Sequence, residues 1–258
     1  MPAILLLHGF SGDKSIWLRF ARLLPAGYRL LIPDLGGHGR NPSDPTLDYG
    51  IQGHARRTIA MLDTQQIDRV HLVGSSMGGL IAATVAAEHP ERIASITLLS
   101  PAGVPGAQVE SLDRQAAAGC NPFLIEDQSD FDILFRMIMQ RPPYTPHVVR
   151  AWLCAHFSQR RTHLARMYQA YERSLGLPCV YSRVLAPALV IWGREDAVFD
   201  VRASSALLEA MPRADLQVCD GVGHLPMLEA PVQVAELVTR FLAQVMTAPA
   251  HPLAASAT

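Results

Sequence analysis

Val70-His71-Leu72-Val73-Gly74-Ser75-Ser76-Met77-Gly78-Gly79-Leu80 decides how this chain of 258 residues is read. An apolar run rich in β-branched residues ends at Val73, and an Ala-rich stretch suited to a helix occupies 80–88. A strand that turns at once into a helix must bend sharply between them, at Ser76. Side chains at Gly74 and Gly78 would collide with neighbouring backbone, so glycine is wanted on both sides and the Ser76 hydroxyl is lifted to the tip of the turn. The helix start aims its free N–H groups, that of Met77 among them, toward whatever the hydroxyl attacks. A bland reading of Gly-x-Ser-x-Gly, a glycine-rich turn with an incidental serine, is set aside only by what surrounds it.

Outward from this turn the chain alternates strand and helix. Residues 3–7, Ala-Ile-Leu-Leu-Leu, are continuously apolar and read as a strand buried on both faces of a parallel sheet. Further strands are expected at 28–32, 70–73, 93–100, 188–192 and 215–219, with helices at 15–24, 49–64, 203–211 and 232–244. Such alternation implies parallel strands joined by right-handed crossovers. The pattern breaks between 101 and 183, where aromatic residues, Met and Leu recur at helical intervals. We read 1–100 and 184–245 as one α/β core, 101–183 as a helical insertion over the sheet, and 246–258, rich in Ala, Pro and Ser, as a disordered tail.

Composition excludes several function classes. Twenty-two Lys and Arg against 23 Asp and Glu leave no basic surplus for nucleic acid or an anionic membrane surface. No apolar run approaches the ~20 residues of a membrane helix, and Met1-Pro2-Ala3 carries no basic n-region, so the chain reads as cytoplasmic. Cys120, Cys154, Cys179 and Cys219 form no Cys-x-x-Cys pair and stand apart from metal-ligand spacings, which favours buried free thiols over a metal site or disulfides. Nothing in the sequence calls for a cofactor, and monomer and homodimer are both left open.

A serine hydroxyl is a poor nucleophile at neutral pH without a base within hydrogen-bond reach and a carboxylate to orient that base. In a parallel sheet such groups belong on loops at the carboxyl ends of strands. Of ten histidines, His224 best meets this condition, in Gly221-Val222-Gly223-His224 directly after the last expected strand. His8 and His38 also follow strands, but in glycine loops that suggest structural or binding roles. For the carboxylate, Asp196 in Gly193-Arg194-Glu195-Asp196 is preferred, while spacing alone leaves Glu195 and Asp200 open. The order Ser76, Asp196, His224 differs from both serine-protease orders. A developing oxyanion needs two N–H donors, and Met77 and Phe10, the latter on the loop after the first strand, stand where they are needed.

With those residues placed, the chain resembles the α/β-hydrolase fold family over nearly its whole length. His8-Gly9-Phe10, Asp34-Leu35-Gly36-Gly37-His38-Gly39, Gly74-Ser75-Ser76-Met77-Gly78-Gly79, Gly193-Arg194-Glu195-Asp196 and Gly223-His224 match its landmarks in order. Within the family it looks most like the bacterial monoacylglycerol lipase and carboxylesterase branch, through His8-Gly9-Phe10-Ser11-Gly12-Asp13-Lys14 with Trp17, Ser100-Pro101-Ala102-Gly103-Val104, Arg141-Pro142-Pro143-Tyr144 and Ile191-Trp192-Gly193-Arg194-Glu195-Asp196 leading to Asp200-Val201. Members usually carry two more strands before the His-Gly strand, so a sheet of about six strands is expected here. The turn usually written Asp-Leu-Pro-Gly reads Asp34-Leu35-Gly36-Gly37.

The resemblance implies hydrolysis of carboxylic esters, monoacylglycerols or short-to-medium acyl esters, with peripheral contact to lipid compatible with it. Met137, Met139, Trp152, Phe157 and Met167 of the insertion are expected to wall the acyl chain. Carbon–carbon bond hydrolases and the lyase of menaquinone synthesis share the same three residues. Fixed cations in the pocket would favour those acidic substrates and an apolar pocket would favour esters. A receptor that keeps the fold with little turnover is the reading from a different class.

Overall fold

The computed structural model describes residues 1–108, 121–175 and 180–247. Six parallel strands form one sheet: β1 (Ala3–Leu7), β2 (Arg29–Leu31), β3 (Val70–Ser75), β4 (Ile93–Leu99), β5 (Ala188–Gly193) and β6 (Ala214–Cys219), in the order β2-β1-β3-β4-β5-β6. The expected strands are all present, and every pairing is parallel. Helices α1 (Leu18–Ala21), α2 (Ile51–Thr64), α3 (Met77–Glu88), α7 (Ser204–Ala210), α8 (Pro226–Glu229) and α9 (Pro231–Thr247) flank the sheet. Three more, α4 (Gln128–Ile138), α5 (His147–Gln159) and α6 (Arg161–Leu175), lie between β4 and β5.

The period of two along β1 divides the core. Ala3, Leu5 and Leu7 pack with Leu72 and with Leu62, Ile81 and Val85 of α2 and α3. Ile4 and Leu6 pack on the other face with Trp17, Phe20, Val73 and Ile191, and with Val234, Val238, Phe241 and Leu242 of α9. Each fully buried side chain of this kind contributes about 1.5–3 kcal/mol of hydrophobic transfer. That is why a strand apolar at every position sits in the middle of the sheet. The edge strand β6 alternates in burial instead, as a strand with one wet face should.

Of the four cysteines, Cys154 and Cys219 are buried and free, and Cys120 and Cys179 lie outside the described residues. Most of the Ala-, Pro- and Ser-rich tail, 248–258, also lies outside them. Among the described residues no helix is long and apolar enough to cross a membrane.

Candidate active site

Ser76 sits between the end of β3 and the start of α3 with φ 54° and ψ −121°, a backbone conformation that costs a non-glycine residue about 1–3 kcal/mol. The neighbours hold it there. Its N–H donates to the Leu99 carbonyl (3.0 Å), and its own carbonyl accepts from the N–H groups of Gly79 (2.9 Å), Leu80 (3.2 Å) and Ala102 (3.0 Å). A Cβ on Gly74 would overlap the Gly78 carbonyl oxygen, and one on Gly78 would overlap that of Leu7 and approach that of His8 to 2.6 Å. Gly78→Ala is therefore expected to destabilise the fold by at least about 3 kcal/mol, because the obstacle is the backbone leaving β1 and cannot rotate away. A urea midpoint within error of the parent's would contradict this.

The loop after β1 reaches the same place. A Cβ on Gly9 would stand 3.1 Å from Ser76 Cβ and 3.6 Å from its Oγ, so the peptide leading to Phe10 passes beside the hydroxyl. Met77 is the first residue of α3, so its N–H has no acceptor within the helix. Phe10 anchors its loop through its ring, edge-on to Tyr168 (5.3 Å) and Phe123 (6.1 Å) and stacked on Tyr171 (6.2 Å). His8 is a staple, not a base. Its Nδ1 bonds the Gly9 carbonyl (2.9 Å) while Nε2 accepts from the Leu35 N–H (3.0 Å), and its burial lowers its pKa.

His224 and Asp196 come together from the loops after β6 and β5. His224 Nδ1 lies 2.9 Å and 3.1 Å from the two Asp196 carboxylate oxygens, with both side chains buried. Oδ1 of Asp196 also accepts the N–H groups of Val198 (2.9 Å) and Phe199 (3.0 Å), which fixes the carboxylate, and the Phe199 ring packs edge-on to the imidazole at 5.1 Å. The two carboxylates that spacing left open are engaged elsewhere. Glu195 Oε2 accepts the Val222 N–H (3.0 Å), and Asp200 holds Arg202 through its N–H and Nε, both at 2.8 Å. Gly193 lets the two loops touch, since a Cβ there would overlap the Gly223 carbonyl.

Ser76 and His224 face one cavity of about 210 Å³. Its floor is Gly9, Phe10, Val198, Phe199 and Leu225, and α4, α5 and α6 close over it with Phe131, Leu134, Phe135, Ile138, Leu153, Phe157, Tyr168, Tyr171 and Leu175. Met139 and Phe157, expected on the wall, are in the lining, whereas Met137, Trp152 and Met167 are not. Trp152 points outward, 63% exposed. Met167 is buried against Gly37, its sulfur 2.9 Å from where a Cβ there would stand, and Met137 packs among Ile125, Phe131 and Leu134. The helical phase of the insertion thus turns Met137, Trp152 and Met167 away from the cavity and adds further phenylalanines and tyrosines beside Met139 and Phe157.

A family model described as alpha/beta hydrolase fold matches residues 2–231. The chain belongs to the alpha/beta hydrolase fold family. This α/β-hydrolase is 33% identical to Lipase 3 of Moraxella sp. (strain TA144), over 88% of this chain and 73% of that one. It is 27% identical to the monoacylglycerol lipase ABHD6 of Mus musculus, over 95% of this chain and 76% of that one. Among solved structures, a membrane phospholipase A described as a bacterial virulence factor superposes with a TM-score of 0.91 at 32% identity, covering 96% of this chain and 80% of that one.

One residue of this α/β-hydrolase site was missed from the sequence. Glu229 Oε1 accepts the Gly223 N–H (2.9 Å) and Oε2 accepts the Arg141 N–H (2.7 Å), so a carboxylate ties the His224 loop to the chain leaving α4. The His224 N–H adds a second tie, donating to the Ile138 carbonyl (3.1 Å). Burial raises the Glu229 pKa, opposed by the backbone N–H groups around it. The signal was a single acidic residue, five after His224, in an otherwise apolar stretch. Glu229→Gln turns one acceptor into a donor facing an N–H, an exchange that costs about 1–3 kcal/mol. We expect a lower Tm and a kcat reduced about tenfold as the loop loosens. Unchanged values of both would show that the ties are dispensable.

Proposed function

We propose that this chain hydrolyses carboxylic esters of lipid-like acids, monoacylglycerols or short-to-medium acyl esters, through a serine acyl-enzyme. His224 takes the Ser76 proton, the Ser76 oxygen attacks the ester carbonyl, and the N–H groups of Phe10 and Met77 receive the oxyanion. The collapsing intermediate expels the alcohol, which leaves with the proton from His224. A water that loses its proton to the same imidazole then releases the acid. Asp196 holds the tautomer with Nδ1–H toward itself, leaving Nε2 to exchange the proton, and stabilises the imidazolium.

The observation that carries this reading is the chemistry of the wall. Among the described residues lining the cavity, none is Lys, Arg, Asp or Glu. Against these described residues, an acidic carbon–carbon hydrolase or lyase substrate would place its carboxylate beside apolar side chains, at the cost of desolvating it unpaired. An acyl chain needs only apolar contact. The names of the similar lipases and monoacylglycerol lipase point the same way.

The cavity, about 210 Å³, is smaller than the ~300–1,000 Å³ pockets that bury drug-sized ligands, which favours a short or medium acyl chain over a long one. Hydrolysis of a p-nitrophenyl ester series from acetate to palmitate, run beside monoacylglycerols, is expected to peak between about four and ten carbons. No turnover on any ester by the folded protein would end the esterase reading.

A further inference from the structure

The cavity is not apolar all round. From α4 and α5 it takes Phe131, Leu134, Phe135, Ile138, Leu153 and Phe157, none of which can form a side-chain hydrogen bond. Around Phe10 the lining changes. Ser11, the next residue, and Tyr168 and Tyr171 of α6 bring hydroxyl groups to the wall, with the Tyr168 ring edge-on to Phe10 (5.3 Å) and the Tyr171 ring stacked on it (6.2 Å).

Two of these hydroxyls are unengaged. Tyr168 bonds the Asn121 side chain, whereas those of Ser11 and Tyr171 have no hydrogen-bond partner among the described residues, although Tyr171 is only 6% exposed. Burial raises the Tyr171 pKa, so its hydroxyl keeps the proton and can donate it to a bond. A buried polar group left unpaired is unfavourable, and this one borders the cavity that Ser76 faces. The backbone at Ser11 is unfavourable as well. The Gly12 N–H donates to the Gly9 carbonyl (3.3 Å), closing a turn in which Ser11 holds φ 58°, a conformation that favours glycine. An orphan hydroxyl and a serine in a glycine conformation thus meet on either side of Phe10, beside the nucleophile.

We propose that Ser11 and Tyr171 form a subsite for the alcohol part of the substrate and select alcohols that carry further hydroxyl groups, glycerol-sized polyols above all. Given the proposed esterase activity, on which this subsite rests, the three substituents of the reacting carbonyl divide the cavity between them. The oxygen turns to the N–H groups of Phe10 and Met77, and the acyl chain takes the apolar wall of α4 and α5. The ester oxygen and its carbon skeleton are left to the side that bears hydroxyls. An acyl chain laid there would shut both hydroxyls from water and bond neither. A polyol fragment accepts a hydrogen bond from Tyr171 and either gives one to Ser11 or takes one from it.

The test compares two esters with the same acyl group, monobutyrylglycerol and propyl butyrate, hydrolysed in competition. They form the same acyl-enzyme, so the ratio of their kcat/KM values reads the alcohol alone. The wild-type protein is expected to favour the glycerol ester at least about tenfold. Tyr171→Phe, which keeps the stacked ring, and Ser11→Gly, which relieves the positive φ, are each expected to lower that ratio about three- to tenfold, the effect of one lost hydrogen bond. The Tm of Ser11→Gly should equal or exceed the wild-type value. A purely structural role for either residue would slow both esters together and leave the ratio unchanged. That result, or a wild-type protein that hydrolyses monobutyrylglycerol no faster than propyl butyrate, would overturn the subsite while turnover of p-nitrophenyl butyrate kept the esterase reading intact. A folded wild-type protein inactive on all three esters would remove the esterase reading and the subsite with it.

Discussion

Ser76→Ala is expected to reduce ester turnover by about 10⁴- to 10⁶-fold while leaving the protein folded. The hydroxyl is the only group removed, and the backbone bonds that hold the turn, to Leu99, Gly79, Leu80 and Ala102, involve main-chain atoms alone. A phosphonate ester that reacts with activated serines should add once to the wild-type protein, on the peptide containing Ser76, and leave the variant unlabelled. Asp196→Asn is expected to cost about 10³–10⁴-fold, because the amide cannot hold the imidazole tautomer that the carboxylate selects across 2.9 Å. Labelling or turnover that persisted in Ser76→Ala would remove the serine from the mechanism altogether.

The second large effect is on stability. Four buried histidines are held neutral by desolvation: His54, lowered to about 3, His71, lowered to about 4, and His8 and His38, both lowered. Each binds its proton more weakly in the folded chain than in the unfolded one. The folded state is therefore unpenalised above about pH 6.5 and loses about 1.4 kcal/mol per histidine for each pH unit below it, until the folded pKa is reached. By pH 4.5, His54 and His71 alone account for about 5 kcal/mol, on the scale of the whole stability of a domain. Carboxylates with lowered pKa, such as Asp34 beside Lys14, lose their contribution only at still lower pH. Urea midpoints between pH 8 and 4.5 should fall steeply below about pH 6, and His71→Asn should make that fall shallower. A flat profile down to pH 4.5 would show that these imidazoles are protonated in the folded protein.

Where the sequence was legible, one local rule applied at each position. Two-sided burial of β1 required apolar residues at 3–7, and the turn at Ser76 required glycine at 74 and 78; both requirements are visible as spacing. Asp196 and His224 could be singled out because groups serving a nucleophile collect at the carboxyl ends of strands. Choosing Asp196 over Glu195 and Asp200 depended on where each carboxylate points, which spacing does not encode. The wall of the cavity was less legible for the same reason. Trp152 and Phe157 lie on one helix, five residues apart, and only the packing of α5 decides that one faces solvent and the other the cavity. Glu229 was hidden because its partners are backbone N–H groups, which leave no trace in composition.

Strand β4 separates the serine's strand from the acid's. Its last residues touch both, the Leu99 carbonyl accepting the Ser76 N–H and the Ser100 N–H donating to the Ile191 carbonyl (2.9 Å). The three inserted helices leave from that same strand, after those bonds have been made. The strand therefore acts as a spacer of fixed width between the strands that carry Ser76 and Asp196, while the His224 loop is held in addition by the inserted chain at Ile138 and Arg141. The insertion sets what the cavity accepts, so exchanging residues 142–160 for another helix should retune substrates, provided that the backbone at Ile138 and Arg141, which ties the His224 loop, and the rings that anchor Phe10 are kept.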